Sequence, residues 1–466
     1  MEKKELAYKR AYVWDKLNAD ERKDVMEMGE DYKAFLNEGK TERRCAAEII
    51  RRAEAAGFEC ICSKSSLKAG DKVYYNNRGK AVMLAIIGEE PIENGMNIVG
   101  SHIDSPRLDI KQNPVYEAGG TVLLKTHYYG GIKKYQWTAL PLAIYGVIVK
   151  ANGEKVEIAV GDGADDPVFY ITDLLPHLAK DQMSKNLAEG IEGENLNVLT
   201  GSLPVDDTEA SDRFKTALLN ILNERYGIEE EDFVSAELEA VPAGKARDVG
   251  FDRGLIAAHG HDDRVCSYAS LAAMLKVEKP ARTAVGLYVD KEEIGSVGAT
   301  GMHSQFFINM VGEIIALMNG RNCPDLAIRR ALAHSTLLSA DVAAAFDPNY
   351  PSVGDNANFA GIGQGIAMVK YTGSRGKSGA NDASAELVGK VRKLFNDHNV
   401  LYQTSELGKV DQGGGGTIAY ILANNDMDVI DAGVAMLSMH APWEIVSKAD
   451  VYMTNRAYYE FLANYR

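Results

Sequence analysis

The feature that most constrains the fold of this chain is a change of hydrophobic pattern in its middle. Before about residue 109 and again after residue 245, apolar strand-like runs alternate with helical segments. Between these limits, short β-type runs are separated by Gly and Asp turns. The first pattern predicts a sheet covered by helices, and the second predicts a separate β-rich unit. We therefore expect a discontinuous α/β domain, residues 1–108 and 246–466, with a β-rich domain, residues 109–245, inserted in it.

Local patterns predict the individual elements. Helices are expected from Asp20, taken as the N-cap, to Asn37, then from Thr41 to Ala56, and over Cys266–Leu275. The predicted strands are Lys80–Ile87, Thr121–Leu124, Ala143–Val149, Ala284–Asp290 and Val429–Val434.

Composition narrows the classes of partner. With 466 residues, 46% of them hydrophobic, the chain is long enough for a large core. A net charge of −15 opposes binding to nucleic acid or to an anionic membrane. The charged stretch Met1–Glu5 carries no apolar segment, so we expect a cytoplasmic protein without a membrane anchor. The five cysteines lack paired zinc-knuckle spacing and are expected to be reduced thiols.

Five side chains with metal-binding chemistry each stand at the end of an apolar run or at the start of a helix: His102, Asp262, Glu293, Asp341 and His440. Each has an ordinary structural explanation when taken alone, such as a helix N-cap or a hydrogen-bonded core histidine. Because the carboxyl ends of strands in an α/β sheet form one edge, the five together predict a common site. Two imidazoles and three carboxylates suit a pair of divalent ions, zinc foremost, with manganese or cobalt as alternatives.

Two further acids accompany these candidate ligands. Asp104 follows His102 closely and is placed to accept the second N–H of its imidazole, which would orient the ring. Glu292 precedes Glu293, so that one glutamate can hold metal while the other moves protons. A polar turn pair and a solvated loop are the respective alternatives.

Five motifs occur in a fixed order: VGSHIDSP, HDDR, VDKEEIGS, SAD followed by DPNY, and LSMHAPWE. Together they resemble the M18 family of metallo-aminopeptidases, which includes aspartyl aminopeptidases, and are closest to its bacterial branch. The resemblance covers nearly the whole chain. It implies an α/β/α metallopeptidase core with a mixed sheet, an inserted dimerisation domain, and release of the N-terminal residue from unblocked peptides. It also implies a homo-oligomer, with dimers that assemble into tetrahedral dodecamers.

The resemblance assigns metal ligands by position. One ion would be held by His102, Asp262 and Asp341, and the other by Asp262, Glu293 and His440. Asp262 would therefore bridge the two ions.

The resemblance also assigns roles to residues that do not hold metal. Glu292 would be the general base that activates the metal-bridging water, and Asp104 would be the acid behind the first histidine. His177 of the insertion would reach the active site of a neighbouring subunit, and Lys370 would contact an acidic substrate side chain. A buried helix-cap role for His177 and a plain surface charge for Lys370 are the alternatives.

The chain departs from the family pattern at three places. Ala344 and Asp347 stand where many eukaryotic members carry histidine, and Lys133–Pro141 replaces a segment that contains Asp-Arg-Asp-Leu. These changes leave the candidate ligands intact, but they weaken the inference of a preference for N-terminal Asp or Glu.

Two other functions stay open on the sequence alone. The first is a related two-metal carboxypeptidase, deacylase or deblocking aminopeptidase, which the insertion and the His440–Glu444 ending argue against. The second is a self-assembling shell protein with a vestigial site, which the intact ligand set and Glu292 argue against. The run Gly413–Gly416 is not followed by Lys-Ser/Thr, so it predicts a loop that lines the site rather than a nucleotide-binding loop.

Overall fold

The structure is a computed structural model that describes residues 6–466, so the charged stretch Met1–Glu5 lies outside the described residues. The α-helices are α1 Ala19–Glu38, α2 Glu42–Ala55, α3 Lys180–Ser184, α4 Leu187–Gly190, α5 Arg213–Tyr226, α6 His261–Met274, α7 Phe306–Met318, α8 Asp325–Ala333, α9 Ala385–Asp397, α10 Ala419–Ala423 and α11 Lys448–Asn464. None of the described helices combines the length and the apolar composition that a bilayer span requires. The five cysteines are free thiols.

The strands group into three sheets. They are β1 Glu59–Cys60, β2 Lys72–Asn77, β3 Ala81–Ile86, β4 Met96–His102, β5 Arg107–Ala118, β6 Thr121–Tyr129, β7 Leu142–Val149, β8 Lys155–Val160, β9 Val198–Gly201, β10 Ala236–Pro242, β11 Arg247–Val249, β12 Leu255–Ala258, β13 Thr283–Val289, β14 Thr336–Ser339, β15 Ala343–Ala344, β16 Ile366–Val369, β17 Tyr402–Thr404, β18 Asp428–Gly433, β19 Ala435–Leu437 and β20 Glu444–Ser447.

The largest sheet has the strand order β1-β2-β3-β13-β4-β14-β18-β16-β17. Its centre, β13-β4-β14-β18, is parallel, whereas β3 and β16 pair with this centre in antiparallel fashion. The sheet is therefore mixed, as predicted. Because the four central strands run in the same direction, their carboxyl ends lie at one edge.

Helices cover both faces of this sheet because its side chains alternate between the faces. On β3, Val82 and Leu84 pack in one core with α1, α2, α6, α9 and α11. The intervening Ala81 and Met83 pack in a second core with α7, α8 and α10. The predicted α/β/α core is confirmed.

A six-stranded antiparallel sheet, β8-β7-β10-β5-β6-β9, is formed by the middle of the chain. Its core is separate, is built from residues between Leu108 and Ala240, and includes the fully buried Trp137. The sequence pattern did not predict α5, which packs on this core through Phe214, Leu218 and Leu222. The β-rich character of the middle is observed, and the domain boundaries stay a prediction.

A five-stranded sheet, β11-β12-β20-β19-β15, lies wholly in the part of the chain after the insertion. It matters for the site because β12 leads into α6 and β19 leads into the segment of His440.

Most predicted elements are present with ends shifted by one or two residues, and two differences have physical causes. Helix α1 begins earlier than predicted, because Asn18 rather than Asp20 is the N-cap. The Asn18 side chain accepts N–H bonds from Asp20 and Glu21, and the Glu21 carboxylate accepts the Asn18 N–H at 2.9 Å, which makes a capping box. Strand β6 runs on from the predicted Leu124 to Tyr129, because it stays paired with β5 as far as Arg107.

Candidate active site

The five candidate ligands lie at the carboxyl edge of the parallel strands. His102 is the last residue of β4, and Glu293 lies in a 3-10 turn just after β13. Asp341 closely follows β14, and His440 closely follows β19. Asp262 lies in the first turn of α6. The convergence expected from strand ends is therefore what the fold produces.

The carboxylate of Asp262 stands between the two histidines. Its Oδ1 lies 3.2 Å from Nε2 of His102, and its Oδ2 lies 3.3 Å from Nε2 of His440. Asp341 Oδ1 is 4.0 Å from the His102 Nε2, and Glu293 Oε2 is 3.6 Å from the His440 Nε2. One carboxylate thus faces two imidazoles through different oxygens, which is the arrangement that a bridging ligand requires.

Two overlapping groups of ligand atoms are compact enough to hold a metal ion. The atoms of His102, Asp263 and Asp341 all lie within 4.8 Å of one another, as do those of His102, Asp262 and Glu293. Both oxygens of Asp263 and Oε1 of Glu293 are buried without a hydrogen-bond partner among the described residues. Imidazole nitrogens and carboxylate oxygens of this kind fit zinc, manganese or cobalt.

Asp263 was not among the residues predicted from the sequence. The motif HDDR shows two adjacent acids, but no spacing rule tells which of them faces the cluster. The backbone there is not regular helix, since Asp262 and Asp263 have non-helical dihedral angles at the start of α6. Both side chains therefore turn toward the histidines.

Asp104 lies behind His102 and is completely buried. The His102 Nδ1 is 3.1 Å from the Asp104 carbonyl oxygen and 3.3 Å from its Oδ1. The same carboxylate accepts the backbone N–H of Glu292 at 3.1 Å and of Glu293 at 3.2 Å. The Tyr129 hydroxyl donates to its Oδ2 at 2.8 Å. Asp104 thus connects the imidazole with the two adjacent glutamates.

The second histidine is also fixed from behind, by groups that sequence reasoning missed. The Nδ1 of His440 lies 2.8 Å from the carbonyl oxygen of Gly131, so that the Nδ1–H donates and Nε2 faces Asp262. Glu444 accepts the backbone N–H of His440 at 2.7 Å and that of Asp262 at 3.1 Å. Burial raises the pKa of Glu444 to about 8.

The motif LSMHAPWE contains Glu444, but its role depends on the backbone of Asp262, far away in the chain. Tyr129 and Gly131 belong to the insertion, and no motif linked them to the site. Their contacts show that the inserted β-rich segment forms one side of the candidate active site.

The cluster shifts the pKa values of its members in opposite directions. Burial alone would lower the pKa of His102, but hydrogen bonds to Asp104 and Asp262 raise it well above its usual value. Burial likewise opposes the shift of His440, whose pKa rises to about 10 beside Asp262 and Glu293. Burial raises the pKa of Glu292 to about 7, and the nearby Asp262 charge adds to the effect. These are carboxylates crowded together in a poorly solvated place, where divalent cations bind well.

The ligand cluster forms the floor of a cavity of about 530 Å³. Opposite the acids, the wall is largely apolar and consists of Val342, Ala343, Ala344, Val369, Leu407 and Met439. Residues Gly414–Gly416 also line the cavity, which confirms the expectation that the glycine run forms part of its wall.

Two predicted substrate-binding residues lie outside the cavity lining. His177 is exposed on a turn of the insertion. Lys370 follows β16, and its Nζ is 2.9 Å from Oδ1 of Asp382. Neither side chain meets the ligand cluster within this chain, and both assignments stay predictions.

Comparison with known proteins agrees with the fold and with the site. The family profile described as aminopeptidase I zinc metalloprotease (M18) matches residues 35–462. A probable M18 family aminopeptidase 1 of Clostridium acetobutylicum is 54% identical over 461 residues, 98% of each chain.

Two solved structures are similar over nearly their whole length. One is an M18-family aminopeptidase from Thermotoga maritima, with a TM-score of 0.94, 44% identity, and coverage of 98% of this chain and 100% of that one. The other is aminopeptidase I from C. acetobutylicum, with a TM-score of 0.92, 51% identity and the same coverage. The predicted resemblance and the predicted class of enzyme, a metallo-aminopeptidase, are confirmed: the chain belongs to the M18 family of aminopeptidase I zinc metalloproteases.

Proposed function

We propose that this protein is a two-metal aminopeptidase that hydrolyses the N-terminal peptide bond of unblocked peptides. The observation that carries the proposal is the placement of Asp262, whose two oxygens face His102 and His440 separately at 3.2 and 3.3 Å. A single-ion site has no use for a carboxylate shared in this way. Peptide substrates and the release of one amino acid at a time follow from the family to which the chain belongs.

The residues fit the ions that this function needs. His102, Asp262 and Asp341 would hold one ion, and Asp262, Glu293 and His440 the other. The compact ligand groups and the unpartnered carboxylate oxygens support this assignment. When bound, two divalent ions supply Lewis acidity, which polarises the scissile carbonyl and acidifies water. Zinc is the ion named by the family description, and the same donor set suits manganese or cobalt.

Glu292 is suited to move the proton. Its Oε2 lies 3.9 Å from the His102 Nε2, and its backbone N–H is held by Asp104. The carboxylate is not required as a ligand, and its pKa of about 7 lies near neutral pH. It would take a proton from the attacking water and deliver it to the leaving amine, because an acid–base group works best when its pKa is close to the working pH.

The exposed surface of the insertion supports self-association. Five large apolar side chains in one short segment around His177 are at least half exposed: Leu174, Leu175, Leu178, Met183 and Leu187. An apolar patch of this kind usually marks a contact surface. We propose that it contacts a second copy of the chain, in line with the dimers and dodecamers that the resemblance implies. Light scattering of Leu178→Glu tests this, since a smaller assembly is expected and an unchanged mass would contradict it.

Activity is tested on matched peptides with a free or an acetylated N-terminus. The free peptide is expected to lose its first residue, the acetylated one to stay intact, and chelation to stop the reaction until zinc, manganese or cobalt is restored. Loss of the C-terminal residue, or no cleavage of any peptide by the metal-loaded protein, would contradict the proposal and favour a carboxypeptidase or a shell protein.

The role of Glu292 is tested separately. Glu292→Gln is expected to lower kcat by about 10²–10⁴ with metal content near that of the wild type. Glu293→Gln is the matched control, because it removes a proposed ligand and is expected to lower the metal content. If Glu292→Gln lost its metal instead, the assignment of a proton-moving role would be wrong.

A further inference from the structure

The cavity above the ligand cluster carries no cationic side chain that is free to bind a substrate carboxylate. Among the described residues that line it, Lys and Arg are absent. The one imidazole is that of His440, whose two nitrogens already face Gly131, Asp262 and Glu293. The remaining polar lining consists of hydroxyl groups and backbone.

The nearest candidate cation is engaged elsewhere. Lys370 follows the wall residue Val369, but its ammonium group pairs with Asp382 at 2.9 Å. Lys377 also pairs with Asp382, at 3.2 Å, and lies over the ring of Tyr371 at 3.9 Å. The two lysines therefore share one carboxylate outside the cavity.

The wall opposite the acids is apolar and is partly built from small residues. Val342, Val369, Leu407 and Met439 present hydrocarbon and thioether surface to the cavity. Because Ala343 and Ala344 are short, space remains beside them within a cavity of about 530 Å³. This volume is in the range of pockets that enclose small ligands.

A charged substrate side chain would lose water in such a place without gaining a partner. Transferring a charge into an apolar environment is costly unless it is paired. For a carboxylate, the four acids Asp262, Glu292, Glu293 and Asp341 on the floor of the cavity add repulsion. An apolar side chain gains free energy by leaving water for the same wall.

We infer that this site selects peptides with a neutral, apolar N-terminal residue of the size of Leu or Met and rejects N-terminal Asp and Glu. The inference rests on the proposed aminopeptidase function and identifies its substrate class. It also assigns specificity to the wall that contains Leu407 and Val369, rather than to Lys370.

The test compares the metal-loaded wild-type protein on peptides X-Ala-Ala, in which X is Leu, Met, Asp or Glu. The kcat/KM for Leu and Met is expected to exceed that for Asp and Glu by about 10²-fold, the effect of an unpaired charge in an apolar site. Equal values, or a preference for Asp or Glu, would overturn the inference while leaving the aminopeptidase function intact. Failure to cleave any of the four peptides would instead overturn the proposed function.

A pair of variants tests the wall directly. Leu407 lines the cavity and is 44% exposed, so Leu407→Lys places a cation in the wall without filling a core. The ratio of kcat/KM for Asp to that for Leu is expected to rise at least tenfold. Val410→Lys is the matched control, because Val410 lies in the same segment, is 82% exposed and does not line the cavity. A ratio that rises equally in both variants, or in neither, would contradict the role of the wall.

Discussion

Asp104→Asn is the substitution that most directly probes the support behind the metal ligands. The Asp104 carboxylate faces four groups: the His102 imidazole at Oδ1, the Tyr129 hydroxyl at Oδ2, and the backbone N–H groups of Glu292 and Glu293. An amide has the same shape but only one acceptor oxygen. Its NH₂ group must therefore point at donors on one side.

The structure indicates which side is affected. The Tyr129 hydroxyl can rotate and accept a hydrogen bond, whereas a backbone N–H cannot. The amide nitrogen is therefore expected to replace Oδ2, which leaves the N–H of Glu293 without its acceptor at a cost of about 1–3 kcal/mol. Because this N–H holds the chain beside a proposed ligand, the affinity for metal should fall by about 10–100-fold, as is usual when a group that orients ligands is lost.

The assay is a competition titration of zinc between the protein and a chelating dye, at a pH where both are stable. Asp450→Asn is the control, since Asp450 is also fully buried and accepts two backbone N–H bonds, from Gly363 and Gly365, but does not line the cavity. An Asp104→Asn protein that binds zinc within twofold of the wild type would refute the reasoning. An equal loss in Asp450→Asn would show that any buried carboxylate matters.

Two further predictions follow from neighbouring contacts. Tyr129→Phe removes one hydrogen bond to Asp104 but keeps its charge, so zinc affinity in the same titration should fall by only about fivefold, in line with a net hydrogen-bond contribution of about 1 kcal/mol. Tyr145→Phe, which loses a hydrogen bond to Asp162 within the insertion, should leave the affinity unchanged, and an equal fall in both would refute a specific role for Tyr129. For Asp450, burial raises the pKa to about 7, so the folded state holds this proton from about pH 4 to pH 7 while the unfolded state loses it, and stability falls as pH rises through that window, by about 4 kcal/mol in all. The melting temperature of Asp450→Asn minus that of the wild type should therefore become more positive from pH 5 to pH 8, and a constant or falling difference would show that the folded pKa is not raised.

Local patterns were sufficient for much of the fold. The strand β3 and the helix α2 are recognisable from their apolar spacing, because that spacing reflects which face of each element is buried. The end of β6 was missed, because it depends on pairing with β5 rather than on its own residues. Helix α5 was missed because it packs on the insertion core through only partly buried side chains.

Position along strands was also sufficient to bring the five candidate ligands together. Parallel neighbouring strands place their carboxyl ends side by side, so His102 and the residues after β13 and β14 had to be close. The same rule says nothing about side-chain direction. It therefore missed Asp263, and it could not have shown that Asp262 turns one oxygen to each histidine.

The sequence by itself determined the α/β alternation, the β-rich middle, the identity of the metal-binding chemistry and the family. These depend on residue types and on spacing along the chain, which the amino-acid order contains directly. Only the tertiary structure decided which groups hold the ligands from behind. Tyr129 and Gly131 reach the site from the insertion, and Glu444 reaches the backbone of Asp262. Hydrogen bonds between residues this far apart depend on how separate elements pack, and no local pattern records that packing.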